Sequence, residues 1–105
     1  MTALKVFKNR TNVVLVELRF DVSADTITSE IRVGKAASSD LIVAWSVAFS
    51  TDGTDGKLVL TIDDSLLTSI TQPVGYMDMK RISAGEPLGV FSDPIRVNFQ
   101  DTVTA

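Results

Sequence analysis

The nine-residue run from Leu41 to Phe49, LIVAWSVAF, is apolar on both sides of a two-residue alternation. Successive side chains of an extended strand point to opposite faces, so Leu41, Val43, Trp45, Val47 and Phe49 share one face. The other face carries Ile42, Ala44, Ser46 and Ala48, a set too apolar for free exposure to water. Ser46 interrupts the run, which falls far short of the about 20 residues a membrane-crossing helix needs. It reads as a strand whose second face is covered, by the rest of the fold or by another protein.

The same period recurs along the chain. Leu4–Phe7 is a short edge piece. Asn12–Phe20 sets Val14, Val16, Leu18 and Phe20 on one face, opposite Val13, Leu15, Glu17 and Arg19. Thr26–Val33 alternates Ile27, Ile31 and Val33 with Thr26, Thr28, Glu30 and Arg32, and Lys57–Ile62 buries Leu58, Leu60 and Ile62. Tyr76–Ile82 is the sixth strand, with a turn at Ser83–Pro87. Leu88–Gln100 is the last, interrupted at Asp93-Pro94 because proline cannot donate to a ladder. Asp63-Asp64-Ser65, followed by Leu66, Leu67 and Ile70, predicts a short helix that a carboxylate caps and that ends before Pro73. Val, Ile and Thr make up 31 of the 105 residues, which favours pleated sheet. The expected fold is all-β: a single antiparallel β-sandwich, Ig-like, of six to seven strands, with one short helix between strands five and six. It spans residues 1–105 as one domain, with no internal repeat or linker.

The chain contains no histidine and no cysteine. Imidazole and thiolate, the commonest catalytic base, nucleophile and zinc ligands, are therefore missing. No catalytic, metal or cofactor site is expected, and the chain reads as a non-enzyme. The absence of cysteine also suits synthesis in a reducing cytoplasm. A net charge of −3, with basic residues scattered singly or in pairs such as Lys80-Arg81, argues against a nucleic-acid partner. The first ten residues, MTALKVFKNR, lack the apolar core of a signal peptide, and no membrane association is expected.

Several motifs have simpler readings than the chemistry they suggest. Asp52-Gly53-Thr54-Asp55-Gly56 supplies oxygens for a cation, but its two aspartates are three apart and no distal glutamate follows, so it reads as a hairpin turn. Asp63-Asp64 reads as a helix cap before it reads as an acid–base pair. Gly56-Lys57 lacks the rest of a phosphate-binding loop, and Asn9-Arg10-Thr11 matches a glycosylation sequon without a secretory signal. Trp45 reads as a core anchor. Met77 and Met79 alternate with Asp78 and Lys80, so they either fill the core or form an adaptable contact surface.

What the residues do offer is surplus apolar strand surface. Mean hydropathy is positive for a chain too short to hide so many apolar side chains in one core. The candidate interface is Val13, Leu15, Ile42, Ala44, Ala48, Met77 and Met79.

The order of features resembles a group of small phage and prophage virion structural proteins related to the N-terminal domain of phage baseplate upper proteins. The shared elements begin with the polar-tipped hairpin Phe20 to Thr26 and the pair Ile31-Arg32. They continue with Gly-Lys-Leu-x-Leu-x-Ile at Gly56 to Ile62 and the Asp63 to Ile70 segment. Gly75-Tyr76-Met77-Asp78-Met79-Lys80 and a closing Val103-Thr104 complete the set. Met77 stands where that group commonly has a second aromatic. The resemblance runs from about Val14 to Thr104 and implies a bacteriophage virion structural protein, a baseplate, tail or fibre-attachment component acting by protein–protein assembly. It would be made in the bacterial host cytoplasm and reside in the virion. Its partners would be other virion proteins and further copies of itself, as a homo-oligomer of closed symmetry. The alternatives are a head decoration (cement) protein and a β-sandwich module that binds carbohydrate or a host surface.

Overall fold

Alternating apolar residues form strands almost wherever the pattern holds. The computed structural model describes residues 4–36, 38–89 and 94–100. Within them lie β1 (Leu4–Phe7), β2 (Asn12–Glu17), β3 (Thr26–Arg32), β4 (Leu41–Phe49), β5 (Lys57–Ile62), β6 (Val74–Ser83), β7 (Glu86–Gly89) and β8 (Ile95–Gln100). The strands join into one continuous path, β1-β8-β6-β3-β4-β5-β2, and β7 pairs with β6 beside it. The path curls until its two end strands, β1 and β2, are neighbours along the chain.

β4 is where the path turns. Its first half pairs with β3, with Trp45 opposite Ser29, and its second half pairs with β5, with Ser46 opposite Thr61. β6 is the longest strand. β3 runs along one of its edges, while β8 takes Val74–Met77 and β7 takes Lys80–Ser83 of the other. Inside the curl, Val6, Ile31, Leu58, Leu60, Ile62, Met79 and Val97 are almost wholly buried. Each contributes about 1.5–3 kcal/mol relative to exposure. Val22 from the β2–β3 loop and Leu67 from the β5–β6 connection are equally buried and cover the ends of the curl.

All-β architecture was the expectation and is what the chain adopts; several details differ. The sheet is mixed rather than antiparallel, because β1 runs parallel to β8, Leu4 opposite Val97 and Phe7 opposite Gln100. The expected helix is a single 3-10 turn at Asp64–Leu66. Its cap is as read, with the Asp63 carboxylate accepting the Ser65 N–H. Thr68, Ser69 and Thr71 are weak helix formers ahead of Pro73, and nothing sustains a second turn. β2 stops at Glu17 rather than Phe20, because Arg19 adopts φ 65°, outside any strand conformation. The expected final strand is two strands. β7 folds back on β6 through Ala84-Gly85, both at positive φ as a two-residue hairpin turn requires. Asp93 of the expected interruption and the Val103-Thr104 close lie outside the described residues.

The Asn12 side chain joins the ends of the path. Lys8 N–H donates to the Gln100 carbonyl, so β1 residues of the same parity face β8, and Lys5 and Phe7 face the other way, toward β2. There the Asn12 amide meets Phe7 as a neighbouring peptide would. Asn12 Oδ1 accepts the Phe7 N–H and Asn12 Nδ2 donates to the Phe7 carbonyl, both at 2.9 Å. Nδ2 also donates to the Arg10 carbonyl at 2.9 Å. The side chain is buried and replaces one backbone rung between β1 and β2.

Candidate functional site

The outward face of β2, β5 and β4 carries the exposed apolar residues the sequence singled out. The register places Leu15 opposite Val59 and Val59 opposite Ala48, a row of three apolar residues across three strands. The next row is Val13, Thr61 and Ser46. Leu15 is 76% exposed and Val13 is 59% exposed, large values for aliphatic side chains within a strand. Ala48 and Ala44 are exposed too, and Ala44 sits opposite Glu30, where the apolar face gives way to a polar one.

Three of the seven candidate residues lie elsewhere. Met77 and Met79 are 3% and 1% exposed and fill the core, so in the folded chain they offer no contact surface. Ile42 was expected on the outer face of β4, but it packs against the core. The reason is a bulge: Arg32 faces Leu41 and Ile31 faces Val43, leaving Ile42 as the extra residue. Ile42 then leans over Gly75, where an added Cβ would stand 3.0 Å from Ile42 Cδ1 and 2.7 Å from Ile31 Cγ2. Only a residue without a side chain leaves room there.

A second surface is polar and was missed. The outward residues of β3 and β6 pair as Thr28 with Lys80, Glu30 with Asp78 and Arg32 with Tyr76. Together with Lys35, Leu88 and Pro94 they line a shallow groove of about 290 Å³. Arg32 is held in place, donating to the Ser39 carbonyl at 2.8 Å and to Glu30 Oε1 at 3.1 Å. Lys35 Nζ stands over the Tyr76 ring at 5.4 Å. Asp78 faces Glu30 directly, and like charges so placed repel. The alternation that sends Met77 and Met79 inward also sends Tyr76 outward, so this surface was legible in the sequence.

The acidic motifs are occupied by the backbone they shape. Asp52 Oδ1 accepts from the Thr54 N–H and hydroxyl, and Asp55 Oδ1 accepts from the Lys57 N–H. The Thr54 hydroxyl, then its N–H, hold the Asp52 carboxyl below its ordinary 3.8. The Ser23 hydroxyl and N–H do the same for Asp21 in the facing loop. The hydrogen bond between the Asp63 and Asp64 carboxyls lowers the first and raises the second. All five carboxylates are exposed. Among the described residues no group of three or more Asp or Glu side chains is arranged to hold a metal ion.

Trp45 is the core anchor its pattern suggested, 5% exposed, with no partner for its indole N–H among the described residues. Phe20 was expected on a strand face with Val14, Val16 and Leu18 and is 44% exposed; the Arg81 guanidinium lies over its ring at 4.7 Å while donating to Asp25 Oδ2 at 3.1 Å. No protein-family model matches this chain, and no curated protein matches it either.

Proposed function

We propose that this chain is an assembly module, a small virion structural protein that docks on neighbouring proteins through the outward face of β2, β5 and β4. The observation that carries this reading is the exposure of Leu15 and Val13 at the head of a cross-strand apolar row. Apolar area covered by a partner contributes about 25 cal/mol per Å² before ordering costs. Repeated copies in a closed symmetric array would multiply it through effective concentration. The phage setting comes from the sequence resemblance, and the Ig-like sandwich from the number and spacing of the strands. In that reading the β3 and β5 sides of β4 correspond to the two layers. A baseplate or tail position and a head-decoration position both use such a face.

Light scattering on the purified chain, paired with sedimentation alongside phage particles, tests this. The wild type should give a mass that is a multiple of 11.3 kDa or travel with particles. Leu15→Lys combined with Val13→Lys should abolish both while leaving the circular dichroism spectrum unchanged. A monomeric wild type that stays clear of particles sinks the proposal.

The groove over β3 and β6 favours a second reading, binding of a carbohydrate or host surface. An outward aromatic, Tyr76, stands there beside a fixed guanidinium, Arg32, and two carboxylates, Glu30 and Asp78. Aromatic rings stack on sugar faces while charged groups take hydroxyls. Glycan-array signal lost in Tyr76→Ala would support it, and a flat array would remove it.

A further inference from the structure

The seam between β1 and β2 is an unfinished stretch of sheet. Leu18 N–H donates to the Gly56 carbonyl across the β2–β5 ladder, so Asn12, Val14 and Val16 of the same parity turn their N–H and C=O groups toward β5. Val13, Leu15 and Glu17 turn theirs the opposite way. No strand among the described residues pairs with that edge. Across the seam, Phe7 is bonded to the Asn12 amide, while Lys5 presents its N–H and C=O toward the opening. Between them lies an open cleft of about 530 Å³, bordered by Leu4, Lys5, Phe7, Arg10, Val13 and Val14.

We infer that this cleft accepts an extended segment of a partner protein as an added β-strand, completing the curl between β2 and β1. Unpaired N–H and C=O groups at alternate residues are a template that only another strand matches in spacing. The Asn12 amide already occupies the position of that strand's first peptide, which sets where the addition begins. Leu4, Val14 and Val16, on the inner side, are only half-buried, so an incoming strand with aliphatic inward side chains would finish covering them. Its outward side chains would lie against Phe7, Val13 and Leu15, so its central residues are aliphatic on both faces. Its flanks are acidic. The first twenty residues hold Lys5, Lys8, Arg10 and Arg19 against Glu17 alone, a basic stretch in a chain of net charge −3.

The inference rests on the reading of the chain as an assembly module, and it separates from it because backbone and side chain of Leu15 are tested apart. The probe is a fluorescein-labelled decapeptide, Asp-Asp-Val-Val-Thr-Val-Val-Thr-Asp-Asp. Bound to the wild type, it should slow amide hydrogen exchange at Lys5, Val13, Leu15 and Glu17 at least tenfold. Val14 and Val16, already in the β5 ladder, should change by less than twofold. Leu15→Pro removes a cleft-facing N–H together with the leucine side chain and leaves the N–H groups of the β5 ladder in place, a substitution an edge strand tolerates, and should weaken peptide binding at least tenfold. Leu15→Thr keeps that N–H and shortens only the side chain, and should weaken binding by at least threefold less than Leu15→Pro does. If Leu15→Pro fails to fold, the wild-type exchange pattern decides alone. No protection at these four amides at millimolar peptide, or equal binding by a folded Leu15→Pro, overturns the inference. Self-association or particle binding that survives Leu15→Pro and is lost in the double lysine variant would leave the apolar face as the docking site without the strand addition.

Discussion

The sheet is continued in two ways, and the contrast between them explains where this protein is robust and where it is open. At β4 every connection is backbone: β3 takes one edge of its first half, β5 the other edge of its second. The β4–β5 turn is locked as well, with Val22 N–H donating to the Gly53 carbonyl and Leu18 N–H to the Gly56 carbonyl. At the β1–β2 seam the Asn12 side chain makes the join. Backbone continuity tolerates many surface sequences, whereas a side-chain rung depends on one residue. The seam is therefore the place where a partner's strand can be accommodated without dismantling a ladder.

The largest effect should come from breaking the closed side. Gly56 sits at φ 72°, and an added Cβ would stand 2.5 Å from the Phe20 carbonyl oxygen and 2.9 Å from Arg19 N. Both obstacles are backbone, so nothing rotates away. Gly56→Ala should cost about 3 kcal/mol or more, combining left-handed strain with overpacking. Urea denaturation would show it as a lower midpoint with an unchanged slope. A midpoint within error of wild type would mean that the turn and the β2–β3 loop are not locked together as described.

Breaking the open side should cost less. Asn12→Ala removes three hydrogen bonds around Phe7 and Arg10, two of them to Phe7 backbone groups that then turn to water in the cleft. A destabilisation of about 1.5–2 kcal/mol is expected, since each net bond is worth about 0.5–1.5 kcal/mol and solvent recovers part. The Phe7 amide should exchange faster while amides of β4 and β5 keep their protection. Uniform loss of protection would show that the seam and the closed side unfold as one unit.

The two sides were unequally legible in the sequence. β1, β4 and β5 carry the bounds their alternation predicts, because each has one wholly apolar face, and β4 and β5 are also framed by turn-forming residues. What alternation cannot register is a change of phase. The bulge that turns Ile42 inward depends on how β3 and β4 slide past each other, and the positive φ that ends β2 falls on an ordinary arginine. Asn12 looks like any polar residue at a strand start, since its role exists only once Phe7 is beside it. The outward apolar face was readable because Val13 and Leu15 break the polar half of their own pattern. Met77 and Met79 looked equally available by composition, and only the placement of β6 between β3 and β8 shows them as core.

A smaller effect separates exposure from stability at the open side. Leu15 is 76% exposed and touches the fold mainly through its backbone, so Leu15→Thr should change unfolding free energy by no more than about 0.5 kcal/mol. Threonine is β-branched, suits a strand and leaves the β5 ladder intact. A larger loss by thermal or urea denaturation would mean that Leu15 packs on this chain and is not a spare contact residue.

The smallest expected effect is a titration that one side feels and the other does not. Asp52 and Asp21 both have folded-state values held below 3.8 by donors from Thr54 and Ser23. A depressed carboxylate contributes stability that is complete above the unfolded value and is lost as pH falls through the folded one. The β4–β5 turn and its facing loop should therefore loosen only in acid, at pH below 3.8. The Asn12 carboxamide does not titrate, so its hydrogen bonds across the β1–β2 seam have no such dependence. Following the aspartate carboxyl carbons and the Phe7 amide together by NMR reads both sides at once. Thr54→Val removes the hydroxyl, the larger of the donors to Asp52, and leaves the backbone N–H. The Asp52 midpoint should rise toward 3.8, the Asp21 midpoint should barely move, and the Phe7 amide should report neither change. A Phe7 shift that follows the Asp52 titration would show the turn and the seam to be coupled, and the division into a closed and an open side would then have to be given up.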